Sequence, residues 1–205
     1  MRRKGFAVGL GAVALCVAVG GTPAYASVIW DGDPARGAAS TVFGIDNCDA
    51  PGSIGTATDP ARGRGWRFSK PAGSNRCEAH GVKAGGGMYH FTNNATYYLG
   101  WSFRLSSTVD DNAVFQWKSY GDHIQNFPLV LKMQGGRLTL LNRQPKGQTF
   151  YPWSVPFAAN TWHHVVLGIH TSDQLKGGWV EVYYDGVQQT FSDGTKRWAA
   201  RTWDS

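Results

Sequence analysis

Short runs of aromatic and β-branched residues, separated by clusters of glycine, asparagine, aspartate and proline, constrain the fold of this chain more than any other feature. Runs of this kind are typical of β-strands, and no long segment has the periodicity of a helix. Asp185-Gly186 and Gln134-Gly135-Gly136 are typical of hairpin turns. The predicted strands are Gly65–Lys70, Asn75–Gly81, Tyr97–Leu105, Ala113–Tyr120, Phe127–Met133, Arg137–Arg143, Trp162–His170, Trp179–Asp185 and Gln188–Phe191.

The first 26 residues have the organisation of a secretory signal peptide. Met1-Arg2-Arg3-Lys4 is basic, an apolar run follows, and Ala24-Tyr25-Ala26 is an Ala-x-Ala cleavage site. The apolar run is shorter and richer in glycine than a membrane-spanning helix, which needs about 20 apolar residues. We therefore expect cleavage before Ser27, secretion to the extracellular space and no membrane contact after cleavage.

The spacing of the predicted strands favours an all-β fold, a β-sandwich or jelly roll of antiparallel strands. Because there is no internal repeat and no linker, residues 27–205 are predicted to form one domain. The segment Asp31–Arg64 is rich in glycine, alanine and aspartate, and it is predicted to be loop-like.

The charge of the mature chain is mildly positive. Loss of Arg2, Arg3 and Lys4 with the signal lowers the formal net charge from +6 to +3, and no run of lysine or arginine remains. This pattern is not that of a nucleic-acid-binding protein, and it is compatible with an acidic substrate.

Cys48 and Cys77 are the two cysteines that follow the signal. An even pair in an oxidising compartment predicts one disulfide, which would tie the segment Asp31–Arg64 to the strand Asn75–Gly81. A metal site made of cysteine and histidine is the alternative, although no Cys-x-x-Cys spacing supports it.

Two predicted strands, Asn75–Gly81 and Ala113–Tyr120, carry a set of polar and charged side chains on a single face, because side chains alternate along a strand. The set consists of Arg76, Glu78 and His80 on the first strand and Gln116, Lys118 and Tyr120 on the second. If both strands belong to one sheet, these six groups line a polar trough. The alternatives are an exposed Arg76–Glu78 ion pair, worth about 0–1 kcal/mol, and an ordinary surface histidine.

Three other polar segments are candidate sites. Gly121–Asn126 follows the second strand and would either grip substrate or form a polar turn. The neighbours His163 and His164 point to opposite faces of a strand, so they are not expected to share a metal. Asp31 and Asp33 are too few carboxylates to specify a Ca²⁺ site.

Several catalytic motifs are absent from the sequence, including the Gly-x-Ser-x-Gly elbow, His-Glu-x-x-His and the phosphate-binding loop. Glu78 and Glu181 are the only glutamates, and they lie on strands distant in sequence. A glycoside hydrolase with paired carboxylates is therefore disfavoured.

The chain resembles the polysaccharide lyases related to heparin lyase I and to glucuronan lyase. The resemblance spans roughly Gly65 to Phe191, and its most specific parts are the Arg-x-Glu-x-His and Phe-Gln-Trp-Lys patterns. The strings that carry it are Asn75-Arg76-Cys77-Glu78-Ala79-His80-Gly81, Tyr98-Leu99-Gly100-Trp101-Ser102-Phe103-Arg104-Leu105 and Ala113-Val114-Phe115-Gln116-Trp117-Lys118. Asn160–His164 and Trp179–Gly186 also fit, but many concanavalin-like sandwiches share them.

The resemblance implies a jelly roll whose concave sheet forms a groove for an anionic polysaccharide, cleaved by β-elimination at a uronic acid. By position, His80 and Gln116 match the family's catalytic histidine and glutamine. Gln116, Arg76 or His80 would neutralise the substrate carboxylate, and His80 or an activated tyrosine would remove the C5 proton. The residues expected to contact substrate are Glu78, Lys118, Tyr120, Gln125, Asn126 and Arg143.

Further expectations concern cofactors, assembly and the chain end. The family sometimes uses a structural Ca²⁺, and neither another cofactor nor an oligomer is expected. Its members usually end in a strand with a Lys/Trp-Gly-x-Tyr type string, whereas this sequence stops at Ser205 without one. A C-terminal strand with the catalytic tyrosine is therefore expected to be missing. A lectin-like sandwich that binds glycans without cleaving them is the alternative function.

Overall fold

Short strands joined by tight turns make up most of the structure, as the sequence predicts. The computed structural model describes residues 27–118 and 127–204, so the predicted signal peptide lies outside the described residues. The described residues divide into two units, one that ends at Tyr89 and one that begins at His90. Every strand pair in them is antiparallel, so the all-β prediction is confirmed.

The N-terminal unit is built from one three-stranded sheet and one hairpin. Its strands are β1 (Phe43–Cys48), β2 (Ser53–Asp59), β3 (Gly63–Ser69), β4 (Cys77–Ala84) and β5 (Gly87–Met88). The sheet has the order β1-β4-β5, and β2 pairs with β3. The rings of Trp30 and Trp66 pack on Phe43, with centroids 5.3 and 5.5 Å from it, and form a small apolar cluster.

The prediction that Asp31–Arg64 is loop-like is wrong. This segment contains β1, β2, the start of β3, the short helix α1 (Ala39–Val42) and a 3₁₀ turn at Pro34–Arg36. Glycine, alanine and aspartate have low intrinsic strand propensity, which is why the segment reads as a loop. Cross-strand pairing supplies what propensity lacks: β2 pairs with β3 over its whole length, from Ser53 opposite Ser69 to Asp59 opposite Gly63.

The predicted disulfide between Cys48 and Cys77 is confirmed. The two cysteines are directly opposite each other in the antiparallel register of β1 and β4. The bridge therefore links β1, which the sequence pattern does not predict, to β4, which it does predict.

We expect the double variant Cys48→Ser/Cys77→Ser to lose about 3–4 kcal/mol in free energy of unfolding, because the bridge closes a loop with a sequence separation of 29. Urea unfolding of the wild type and the variant measures the difference. Wild type in a reducing buffer is the control and should match the variant. Equal stability with and without the bridge would contradict this expectation.

The C-terminal unit contains two sheets. Its strands are β6 (Thr96–Phe103), β7 (Ala113–Trp117), β8 (Leu129–Gln134), β9 (Arg137–Arg143), β10 (Thr149–Pro156), β11 (His163–His170), β12 (Gly178–Tyr184), β13 (Val187–Gln188) and β14 (Trp198–Ala200). The four-stranded sheet has the order β10-β9-β8-β7. The five-stranded sheet has the order β13-β12-β11-β6, and β14 also pairs with β12.

These two sheets pack face to face around an apolar core. Phe115 of β7 stacks on Trp101 of β6, with centroids 5.3 Å apart, and Trp153 of β10 contacts Tyr184 of β12 at 6.0 Å. Among the described residues, the aliphatic and methionine side chains with no exposed surface are Leu129, Leu131, Met133, Leu138, Leu140, Val165, Leu167, Ile169, Val180, Val182 and Ala200. Because strand side chains alternate, burial of one face of each sheet leaves its other face as the outer face.

Two hairpins use the turns that the sequence indicated. Gly135 and Gly136, between β8 and β9, have φ values of 56° and 69°. Asp185 and Gly186, between β12 and β13, have values of 49° and 81°. Positive φ at both central residues is the geometry of a type I′ turn, which fits the twist of a hairpin.

Other strand boundaries differ from the prediction. The predicted strand Gln188–Phe191 is only Val187–Gln188, because the N–H of Phe191 donates to the carbonyl of Thr195 in a turn. The sequence also missed β10, which contains Pro152 and lies at the edge of the four-stranded sheet. An edge strand tolerates proline, and the register shifts between Phe150 and Trp153.

The carboxylate of Asp185 holds the β12–β13 turn against the start of β11. It accepts a hydrogen bond from the backbone N–H of His164 at 2.8 Å, and its other oxygen lies 2.8 Å from Nδ1 of His163. Burial alone would raise the pKa of Asp185, but these hydrogen bonds outweigh it and lower the pKa below the ordinary value of 3.8.

His163 stacks on Tyr184 inside the sandwich and His164 is exposed, so the two imidazoles do lie on opposite faces.

We expect Asp185→Asn to flatten the acid side of the stability curve. A carboxyl whose folded-state pKa is depressed stabilises the fold fully above 3.8, and the stabilisation is lost as the pH falls through the folded-state value. Unfolding of wild type and variant in urea at a series of acidic pH values measures this slope. Asp46→Asn, at an exposed aspartate, is the control; an equal acid slope in wild type and Asp185→Asn would contradict the expectation.

Candidate functional site

β4 of the N-terminal unit and Arg76, the residue just before it, carry the first group of predicted site residues. Nε of Arg76 lies 3.4 Å from Oε1 of Glu78, with the two side chains 48% and 37% exposed. The same-face ion pair therefore forms. Because it is half-exposed, it holds Arg76 weakly and leaves the guanidinium open to other anions.

His80 follows on the same face of β4, opposite Ile45 in the register with β1. Its ring is half-buried and makes no hydrogen bond within residues 27–118 and 127–204. A ring nitrogen without a protein partner is chemically available to a substrate as a proton acceptor or donor.

β7 of the C-terminal unit carries the second group. Phe115 and Trp117 face the core, where Phe115 stacks on Trp101 and Trp117 packs 6.4 Å from Tyr97. Alternation then places Gln116 on the outer face of the four-stranded sheet, where it is exposed. The amide of Gln116 has no hydrogen-bond partner among the described residues, so it can donate to a ligand.

Lys118 and Arg143 lie on this same outer face, around the ring of Phe127. The N–H of Arg143, the last residue of β9, donates to the carbonyl of Pro128, just before β8. Arg143 therefore lies across β8 from the end of β7. Nζ of Lys118 is 4.9 Å from the Phe127 centroid, and Cζ of Arg143 is 5.7 Å from it. The result is an aromatic ring flanked by two cations, next to Gln116, which we call the Phe127 platform.

Phe127 is a functional candidate that the sequence does not reveal, since the sequence pattern predicts it only as the first residue of a strand. The sequence holds little indication of a functional role for Phe127. Only the strand order, which places Lys118 and Arg143 on either side of it, distinguishes this ring from a core aromatic residue. Tyr120, Gln125 and Asn126 lie outside the described residues.

The structure assigns the two groups of site residues to different sheets. β4 pairs with β1 and β5, whereas β7 pairs with β8. The condition that both strands belong to one sheet, on which the predicted trough of six side chains depends, is therefore not met in the described residues. The groups are in different units of the chain, Arg76, Glu78 and His80 in the N-terminal unit and Gln116 and Lys118 in the C-terminal unit.

In the described part of the chain, histidine, cysteine, aspartate and glutamate side chains do not form a group of three that could hold a metal ion. Asp31 and Asp33 have other partners. Asp31 pairs with Arg36 at 2.8 Å, a hydrogen bond that lowers the pKa of Asp31, and Asp33 accepts a hydrogen bond from the N–H of Ala35. Within residues 27–118 and 127–204, no helix has the length and apolar character needed to span a membrane.

A comparison with protein families identifies the chain. A family model described as polysaccharide lyase matches residues 29–198, a range that includes His80, Gln116, Lys118 and Arg143. Neither the curated proteins nor the solved structures contain a match to it.

We expect Lys118→Ala and Arg143→Ala each to weaken binding of an acidic polysaccharide by about tenfold, because each removes a cation beside the Phe127 platform. Isothermal titration at low salt measures the affinity, and added salt should narrow the difference. Lys176→Ala, at an exposed lysine of the same unit, is the control. Equal losses in all three variants would show that only the total charge matters.

Proposed function

This chain belongs to the polysaccharide lyase family, and we propose that it is a secreted enzyme that cleaves a uronic acid polymer by β-elimination. The observation that carries the acidic substrate is the Phe127 platform, where two cations and an exposed amide share one face. Positive charge beside an exposed amide favours an anionic ligand over a neutral one, because opposite charges attract across the surface that a ligand covers. The resemblance to heparin lyase I and glucuronan lyase makes glucuronan our first choice of substrate.

Neutralisation of the substrate carboxylate is the first task of the residues. The amide N–H groups of Gln116 donate to the uronate carboxylate, and Lys118 and Arg143 supply the surrounding positive charge. Stabilising the charge that develops on this carboxylate acidifies the C5 hydrogen, because the enolate-like transition state is more negative than the ground state. The resemblance alone proposes Arg76 as a further donor.

Proton abstraction is assigned to His80 by the resemblance. Its ring nitrogen takes the C5 proton, the electron pair forms the C4–C5 double bond, and the C4–O glycosidic bond breaks. The leaving oxygen takes a proton from water, and His80 then returns the C5 proton to solvent. Tyr184 is unsuited to the role of base, because burial, together with the Asp185 charge, raises its pKa to about 12. Tyr184 therefore takes no part in the reaction.

We expect digestion of glucuronan, among a panel with alginate, heparin and hyaluronan, to produce the ultraviolet absorbance of an unsaturated uronate. His80→Ala should lower the rate by about 10²–10⁴-fold, the usual contribution of a general base. Gln116→Ala should lower it by about 10²–10³-fold, the usual loss of a charge-stabilising donor.

His164→Ala is the matched control, since His164 is an exposed histidine on β11, and its rate should equal that of wild type. Binding of the polymers without an unsaturated product would favour the lectin-like alternative. Release of saturated reducing sugars would favour a hydrolase.

A further inference from the structure

The outer face of the five-stranded sheet carries a network that none of the proposed catalytic residues belongs to. Tyr98 of β6, Gly168 of β11 and Glu181 of β12 are directly opposite one another in the strand registers. Arg197, just before β14, and Gln188 of β13 complete the network around the Glu181 carboxylate. This face is on the opposite side of the C-terminal sandwich from Gln116.

Glu181 is the centre of the network and is only 1% exposed. Its carboxylate accepts hydrogen bonds from Tyr98 Oη at 2.7 Å, from Gln188 Nε2 at 3.2 Å and from Arg197 Nε at 3.2 Å. A buried carboxylate is costly unless such donors satisfy it. Glu181 therefore fixes the position of all three partner side chains.

Gly168 makes room for this arrangement. A Cβ at Gly168 would lie 2.7 Å from Cγ of Glu181 and 2.8 Å from Cε1 of Tyr98, which is closer than real Cβ contacts come. The absence of a side chain there lets the carboxyl and the phenol ring lie flat against the sheet.

Two of the fixed side chains are nevertheless open to solvent. Tyr98 is 56% exposed, and the side chain of Arg197 is also 56% exposed. Arg197 uses its Nε hydrogen for Glu181, while a guanidinium has five N–H donors in all. A second carboxylate can therefore bind to the same arginine.

Flat rings extend the network along the sheet. Cζ of Arg197 lies 4.1 Å from the ring centroid of Trp179, and His170 stacks against Trp179 with centroids 5.8 Å apart. Thr96 holds the His170 ring through a 3.0 Å hydrogen bond to Nδ1. Aromatic faces held in place can pack against the apolar C–H face of a sugar ring with little loss of side-chain entropy.

We propose that this outer face is a second binding surface for an acidic polysaccharide, on which a sugar ring packs on Tyr98 and a uronate carboxylate pairs with Arg197. The inference rests on the proposed function for the class of ligand. A purely structural role for Glu181 explains the hydrogen bonds, but it does not require its partners to remain half-exposed. Two binding surfaces on the C-terminal unit would hold a long polymer more tightly than one, since linked sites bind with a high effective concentration. The second surface would keep the polymer bound while the face that carries Gln116 cleaves it.

The test uses the full chain carrying Gln116→Ala, so that polymer is consumed at least about 100-fold more slowly than by wild type. Polyglucuronate is the probe, and a neutral glucan is its uncharged counterpart. Tyr98→Ala and Arg197→Ala should each weaken binding of polyglucuronate by about tenfold. Tyr98→Phe keeps the ring and should bind nearly as well as its parent. The controls are Tyr151→Ala, at a tyrosine that is 51% exposed, and Arg36→Ala, at an exposed arginine paired with a carboxylate.

Unchanged affinity in both Tyr98→Ala and Arg197→Ala would overturn the proposal, as would equal loss in the control variants. If either variant fails to fold, hydroxyl-radical footprinting of the wild type replaces it: polyglucuronate should protect Tyr98 and not Tyr151, and an unprotected Tyr98 would overturn the proposal.

The result of this binding test can be distinguished from the result of the test of lyase activity. Binding that depends on Tyr98, together with no unsaturated product from the chain with Gln116 intact, supports the second surface and contradicts the lyase reaction. Product formation with binding that is indifferent to Tyr98 does the reverse. With Gln116 intact, cleavage of oligosaccharides too short to span both faces should be unaffected by Tyr98→Ala.

Discussion

The alternation of side chains along β7, fixed by the burial of two aromatic rings, is the constraint on which the candidate site depends. Phe115 stacks on Trp101 and Trp117 packs near Tyr97, so neither ring can leave the core without opening a large cavity. Gln116 and Lys118 must then face outward. The chemistry of the outer face is thus a consequence of how the sandwich closes, because a slip of one residue in β7 would bury the amide and expose the rings.

The two outer faces of the C-terminal sandwich use polar groups in different ways. On the four-stranded sheet, Gln116 is exposed and has no protein partner among the described residues, which suits a group that meets a reacting substrate. On the five-stranded sheet, Glu181 is buried and satisfied by three donors, which suits a group that holds others in place. Gln116 therefore keeps its hydrogen-bonding groups available for a ligand, whereas Glu181 uses its hydrogen bonds to hold neighbouring side chains in place.

Much of the architecture could be predicted because it is local in sequence. Turn residues at 135–136 and 185–186 define hairpins, alternation defines which side of β7 is polar, and the pairing of Cys48 with Cys77 follows from their number. What could not be predicted depends on pairing between distant segments. β1 has weak strand propensity and is held by β4, and the Glu181 network joins β6, β12 and the segment before β14. Only the strand order brings such groups together.

The central claim, that bonds in the polymer are broken by elimination rather than by water, is tested most directly by digesting glucuronan in water labelled with heavy oxygen. Elimination adds no water, so mass spectrometry should find products with an unsaturated end and no heavy oxygen. Products that carry one heavy oxygen for each bond broken would show hydrolysis and would contradict the account.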